Sequence, residues 1–225
     1  MAKLNRFTFL SFVILLAFML LISPFGVFIV SMFALLNVSD FNNRFNRMTI
    51  GVVASVAISI IAASRIIDLD DANDVIVYYG VYLKLVDNDW SAFAHFAGGI
   101  EFALPILMWL LSLLLPVLTI SGLMFAFSLM CMLLFVAWIE YSFITSKKIN
   151  ITELLGISML MVNVYFSTQL TRQFFALIIL LFAVSATTKI YKILFLLISS
   201  SFHLSALPFY LIYVLVSKVK WGLCI

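Results

Sequence analysis

Charge is scarce in this chain. Of its 225 residues only 10% are Asp, Glu, Lys or Arg, against about 25% in soluble domains. The two cysteines, Cys131 and Cys224, sit in or beside apolar segments, so they supply neither a disulfide framework nor a metal cage. Thirteen basic and ten acidic residues leave a net charge of +3, scattered along the chain. No Arg/Lys cluster forms of the kind that holds nucleic acid, which excludes that partner. Also missing are a Gly-rich phosphate cradle, a nucleophile elbow and a His/Cys/Glu set at metal-ligand spacing. There are no internal repeats, and no apolar run alternates as a barrel strand would.

What is present is apolar. Hydrophobic residues make up 65% of the sequence and mean hydropathy is +1.23. Several runs reach the ~18 residues that argue for a membrane-spanning helix. The expected fold is therefore all-α, a polytopic integral membrane bundle formed by the single domain 1–225. Apolar runs near 7–37, 48–64, 102–118, 122–144, 151–170, 173–188 and 193–217 give seven to nine membrane segments, because two of them are too long for one straight crossing. The first is interrupted at Ser23-Pro24-Phe25-Gly26 and the last at Pro208, where the ring clashes with the Leu204 carbonyl and the backbone is expected to bend or break just after His203. The first run follows Lys3 and Arg6 but is too long for a signal peptide.

One long hydrophilic connection, residues 66–100, holds six Asp and a single Lys84. Arg44 and Arg47 lie in the short connection before it, so the positive-inside rule puts 38–47 in the cytoplasm and the acidic loop outside. Placing Lys147 and Lys148 in the cytoplasm as well requires a re-entrant segment between 102 and 144. Within the loop, Val75–Leu85 suits a short interfacial helix or strand. A connection this long is often functional.

An ionisable group in an apolar segment costs ~2.5–3.5 kcal/mol on insertion scales, so each one needs a partner or a function. Glu140 and Glu153 flank Lys147-Lys148 and read as a solvated rim. Arg172 shares a helical face with Ser158, Tyr165 and Gln169, and with Gln173 forms a polar cluster suited to phosphate oxygens. His203 falls at helical spacing from Ser199, Tyr210, Tyr213 and Ser217. Asp74, Tyr78 and Tyr82 recur at i, i+4 and i+8, offering a carboxylate as base or hydroxyl acceptor beside rings that stack on a glycan.

Taken in order, Arg65 closing an apolar run, Asp74-x-x-x-Tyr78, Glu101 opening the next run, Arg172-Gln173 opening another, and His203-x-Ser205-Ala206 resemble the EpsG-like family of bacterial polysaccharide polymerases. That family belongs to the Wzy-type O-antigen and capsule polymerases. The likeness extends over residues 48–217. It departs at "IIDLDDAND", which lacks the glycine that precedes the loop aspartate, and at "KWGLCI", where relatives continue with further helices, so a C-terminally shortened chain is expected. The resemblance implies a multi-pass protein of the bacterial cytoplasmic (inner) membrane that joins oligosaccharide repeat units at its outer face. Donor and acceptor are both carried on undecaprenyl diphosphate, no metal or other cofactor is needed, and the implied partners are a chain-length regulator and a flippase. Arg172, with Arg65, would bind the donor diphosphate. Asp74 or Glu101 would orient or deprotonate the acceptor hydroxyl, and His203 would line the same cavity. Tyr78, Tyr82, Gln169, Gln173 and Ser205 complete the implied substrate-binding set. Two other readings compete: a different multi-spanning polyprenyl-phosphate-dependent glycosyltransferase, and a transporter or flippase for lipid-linked sugars. The latter predicts inverted repeats, which the sequence lacks.

Overall fold

The computed structural model describes residues 6–37, 43–65, 74–143, 155–156, 158–159 and 171–222, and among them it contains helices and turns but no strand. In chain order the helices are α1 (Arg6–Leu20), α2 (Pro24–Asn37), α3 (Arg44–Ala63), α4 (Asp74–Val86), α5 (Ser91–His95), α6 (Ala103–Leu114), α7 (Ile120–Phe143), α8 (Thr171–Ser185), α9 (Lys189–Phe202) and α10 (Ala206–Gly222). A 3₁₀ turn over Phe96–Gly99 follows α5. The chain divides into two compact units, residues 1–72 with 119–169 and residues 73–118 with 170–225.

In the first unit, the interruption expected at Ser23–Gly26 separates α1 from α2. Pro24 takes the first helical position, where its missing N–H costs nothing, and the Ser23 hydroxyl accepts the Gly26 N–H at 3.1 Å as an N-cap. Asn43 caps α3 in the same way, its Oδ1 accepting the Phe45 N–H at 3.1 Å. Leu16, Met32, Leu35, Ile50, Met132 and Ile139 pack with other apolar side chains into one buried cluster drawn from α1, α2, α3 and α7. Glu140, expected on a solvated rim, is only 2% exposed. Arg47, expected in a cytoplasmic connection, is 5% exposed. The two face each other in a bidentate pair, Nε to Oε1 at 2.7 Å and Nη2 to Oε2 at 3.0 Å, and this pairing is what allows both charges to leave solvent.

In the second unit, much of the stretch expected as a loop is helical. Val75, Tyr78, Tyr82 and Leu85 are buried along α4, at the 3- and 4-residue steps of an amphipathic helix, and this face packs on α6. Asp74 stands in its first turn and Lys84 in its last, each matched to the helix dipole. Gly80, by contrast, weakens the middle of α4 by about 0.5–1 kcal/mol relative to alanine. Gly98 and Gly99 adopt left-handed φ angles of 69° and 75°, conformations that a Cβ disfavours, and their turn delivers Glu101 to the start of α6. That helix is shorter than the run 102–118 suggested. Leu115 precedes Pro116 and is extended, with φ −124° and ψ 155°, as a residue before proline prefers.

The break near Pro208 is present, and its location follows from the proline. Helix α9 ends at Phe202, His203 is extended with φ −159° and ψ 125°, and α10 restarts at Ala206. Pro208 thus falls in the first turn of α10, where no intrahelical N–H bond is required of it. The expectation that His203 shares one continuous helical face with Ser199, Tyr210 and Tyr213 is corrected by this break, since the 3.6-residue period does not run through an extended residue.

Two helices, Arg44–Ala63 and Ile120–Ser142, are long and apolar enough to cross a membrane. Five shorter apolar helices accompany them among the described residues: Phe7–Leu20, Pro24–Leu36, Ala103–Leu114, Thr171–Ser185 and Ala206–Val216.

Candidate functional site

In the second unit Arg172 and His203 converge on Glu101. The Glu101 carboxylate is 6% exposed and is met by three donors. Arg172 Nη1 reaches Oε2 at 2.7 Å. His203 Nδ1 lies 2.5 Å from Oε1, and the Leu204 N–H donates to the same oxygen at 3.1 Å. A carboxylate can only accept, so Nδ1 of His203 carries a proton. The Leu204 N–H is available because the helix break leaves it outside the α9 ladder. Burial pushes the Glu101 carboxyl up, but the hydrogen bonds from His203 and Leu204 and the charges of His203 and Arg172 outweigh it, and its pKa lies below the ordinary value.

Arg172 stands in the first turn of α8 and links this carboxylate to α4. Its Nε donates to the Tyr78 hydroxyl at 3.2 Å, and that hydroxyl donates in turn to Asp74 Oδ2 at 3.0 Å. The guanidinium carbon is 5.8 Å from the Tyr78 ring centroid and 5.4 Å from that of Phe96, within the range of cation–π attraction. Burial raises the pKa of Tyr78 well above its ordinary value, with Arg172 opposing, so the phenol is a neutral donor. The chain of contacts therefore runs Asp74, Tyr78, Arg172, Glu101, His203.

A half-open cavity of about 470 Å³ adjoins this chain. Asp74, Tyr78 and Arg172 line it together with Val77, Gly80, Val81, Lys84, Ala92, His95 and Phe96. It offers a guanidinium, a carboxylate and an ammonium on a largely apolar wall. Among the described residues no group of three or more His, Cys, Asp or Glu could hold a metal ion.

Of the residues singled out in the sequence, Asp74, Tyr78, Glu101, Arg172 and His203 are brought together. Tyr82 is not with them. It is fully buried and does not line the cavity; its hydroxyl accepts the Leu118 N–H at 3.1 Å and so ties the segment after α6 to α4. Gln173 is exposed beside Arg172. Ser205 lies in the turn after His203, its carbonyl accepting the Phe209 N–H at 3.3 Å. Arg65 is exposed just past α3, in the first unit. Gln169 and Tyr165, and with them most of the polar stripe toward Ser158, fall outside the described residues, as does Glu153. Lys84 and His95 were not singled out as site residues. Lys84 was legible, since it falls on the face of α4 that carries Asp74, Tyr78 and Val81. Compared with known proteins, the chain matches no protein-family model, no curated protein and no solved structure.

Proposed function

We propose that this chain is a multi-pass protein of the bacterial cytoplasmic membrane that polymerises O-antigen, capsule or exopolysaccharide repeat units carried on undecaprenyl diphosphate. The observation that carries this reading is convergence. Five residues of the resemblance, Asp74, Tyr78, Arg172, Glu101 and His203, form one hydrogen-bonded chain beside one cavity, and three of its links cross 71 to 102 positions of sequence. Membrane residence is supported by the two long apolar helices and by the exposure of large apolar side chains such as Leu21 at 86%, Leu114 at 77% and Ile190 at 72%, which in water would be an aggregation liability. Helix α6 has 12 residues and so extends ~18 Å, short of the ~30 Å of hydrocarbon. Its length fits the re-entrant segment that a cytoplasmic Lys147-Lys148 would need between 102 and 144.

In the reaction the acceptor sugar hydroxyl attacks the anomeric carbon of the donor. The bond from that carbon to the diphosphate oxygen breaks, undecaprenyl diphosphate leaves with the electron pair, and a base takes the hydroxyl proton. Arg172 faces the cavity with a planar fork suited to diphosphate oxygens and stabilises the charge that grows on the leaving group. Glu101 has both oxygens occupied and a depressed pKa, so it is a positioning residue that holds Arg172 and His203. The proton goes to Asp74, the carboxylate that lines the cavity.

Complementation tests the reading. The chain is expressed in a bacterium that lacks its own polymerase and makes the matching repeat unit, and the glycan ladder is examined. Restored polymer, lost in Arg172→Ala and His203→Ala at normal membrane levels, is the expected result. Capped single repeats from the unsubstituted chain at normal levels overturn it.

A further inference from the structure

Among the described residues nothing packed against Gly80 requires it to be glycine. It sits in the middle of α4 with an ordinary helical φ, since the left-handed glycines among the described residues are Gly98 and Gly99. A Cβ built on it would meet no atom within 4 Å, so no neighbouring helix or loop requires the missing side chain. Helix propensity disfavours it as well. Yet Gly80 lines the cavity, and its neighbours along that rim of α4 are Val77, three residues before, and Lys84, four after. The rim therefore has a gap one side chain wide, floored by backbone, ~9 Å along the helix from Asp74 and ~6 Å from Lys84. Ala92, Val81 and Phe96 add small and apolar surface to the same cavity. A pyranose ring combines an apolar C–H face with hydroxyls around its edge, and this surface offers a partner to each.

We propose that the gap at Gly80 is a saccharide subsite, in which the sugar attached to the diphosphate at Arg172 lies across the α4 backbone. Its hydroxyls meet the Lys84 ammonium, whose stem leans back along the helix toward Gly80, and its C–H face meets Val81 and Phe96. The inference rests on the reading of the site as one for lipid-diphosphate glycans and adds which residues hold the sugar. A side chain larger than hydrogen at position 80 would occupy the ring's place without disturbing the diphosphate.

Binding to the purified full chain in detergent micelles tests it, using undecaprenyl diphosphate and the same lipid bearing one N-acetylglucosamine as probes. The unsubstituted chain is expected to bind the glycosylated probe about tenfold more tightly, a difference of ~1.4 kcal/mol. Gly80→Leu removes that preference and keeps the affinity for the bare diphosphate, whereas Arg172→Ala weakens both. Thermal unfolding of Gly80→Ala and Gly80→Leu shifts upward or stays unchanged, because both residues are better helix formers than glycine, so lost binding is not lost folding. Equal affinity for the two probes in the unsubstituted chain, or a preference retained in Gly80→Leu, overturns the subsite and leaves the diphosphate reading standing. No binding of either probe overturns both.

Discussion

The two units each hold an arginine–glutamate pair at 2.7 Å, and the pairs differ in everything except that distance. Arg47 and Glu140 expose 6% and 3% of their side chains and meet through two parallel bonds. Arg172 exposes 25% and divides its donors between Glu101 and Tyr78, while Glu101 divides its oxygens among an arginine, a histidine and a backbone N–H. In the first pair each charge is absorbed by its partner. In the second the charges are held in a network that leaves the arginine facing a cavity. Ion pairing alone therefore does not mark a site; what separates the pairs is that Arg172 lines a cavity.

Unpairing the first pair should give the largest effect. Arg47→Ala leaves Glu140 buried without its partner and should cost about 3–5 kcal/mol, whereas replacing both residues together by Met and Leu should be close to neutral. Unfolding of the purified variants in detergent measures both. A single substitution that costs less than about 0.5 kcal/mol, the range of ordinary surface changes, would show that the pair is not closed and would erase the contrast.

Acid should separate the two networks next. The pKa of Glu101 is depressed below its ordinary 4.5, so between the two values the unfolded chain binds more protons than the folded one, and stability rises with pH there. Its contribution is present above 4.5 and is lost as pH falls through the folded value. Unfolding midpoints followed through the acid limb should fall less steeply in Glu101→Gln than in the unsubstituted chain. Parallel limbs would mean that Glu101 is not held as a carboxylate.

The smallest effect should come from Tyr78 and Tyr82, two of the three tyrosines of α4. Tyr82→Phe deletes one hydrogen bond to the Leu118 N–H and should cost ~1 kcal/mol, with the glycan ladder in the complementation strain unchanged. Tyr78→Phe removes the link between Asp74 and Arg172 and should shorten the ladder while changing stability no more than its neighbour does. Equal ladders from the two variants would place Tyr78 with the scaffold.

Much of this was legible in the sequence, and what was not has physical causes. Composition announced an all-helical chain, and Pro24 and Pro208 announced two breaks, because a proline constrains only its own neighbourhood. Pro116 carried the same kind of information, yet the apolar run 102–118 masked it, and α6 is correspondingly short. Arg172, Glu101 and His203 stood out singly as charges in apolar surroundings. The resemblance implied that they share a cavity, but which of them touch was not legible, since it depends on how α4, α6, α8 and the α9–α10 break pack. Arg47 and Glu140 were misread for a related reason: each lies near the end of an apolar run, where a charge ordinarily reaches water, and only pairing across 93 positions made burial possible. Tyr82 shares a buried face with Tyr78, and period alone could not tell which of the two hydroxyls meets Arg172 and which the Leu118 N–H.

The break between α9 and α10 is secured from two places far apart in the chain. Pro208 forbids an uninterrupted helix, and Glu101 clasps the backbone N–H that the interruption releases. Leu204 takes part through its main chain alone, and its side chain is 43% exposed. Position 204 can therefore take any residue that keeps a backbone N–H, which excludes proline alone, so the middle letter of His-x-Ser is a spacer read through its main chain.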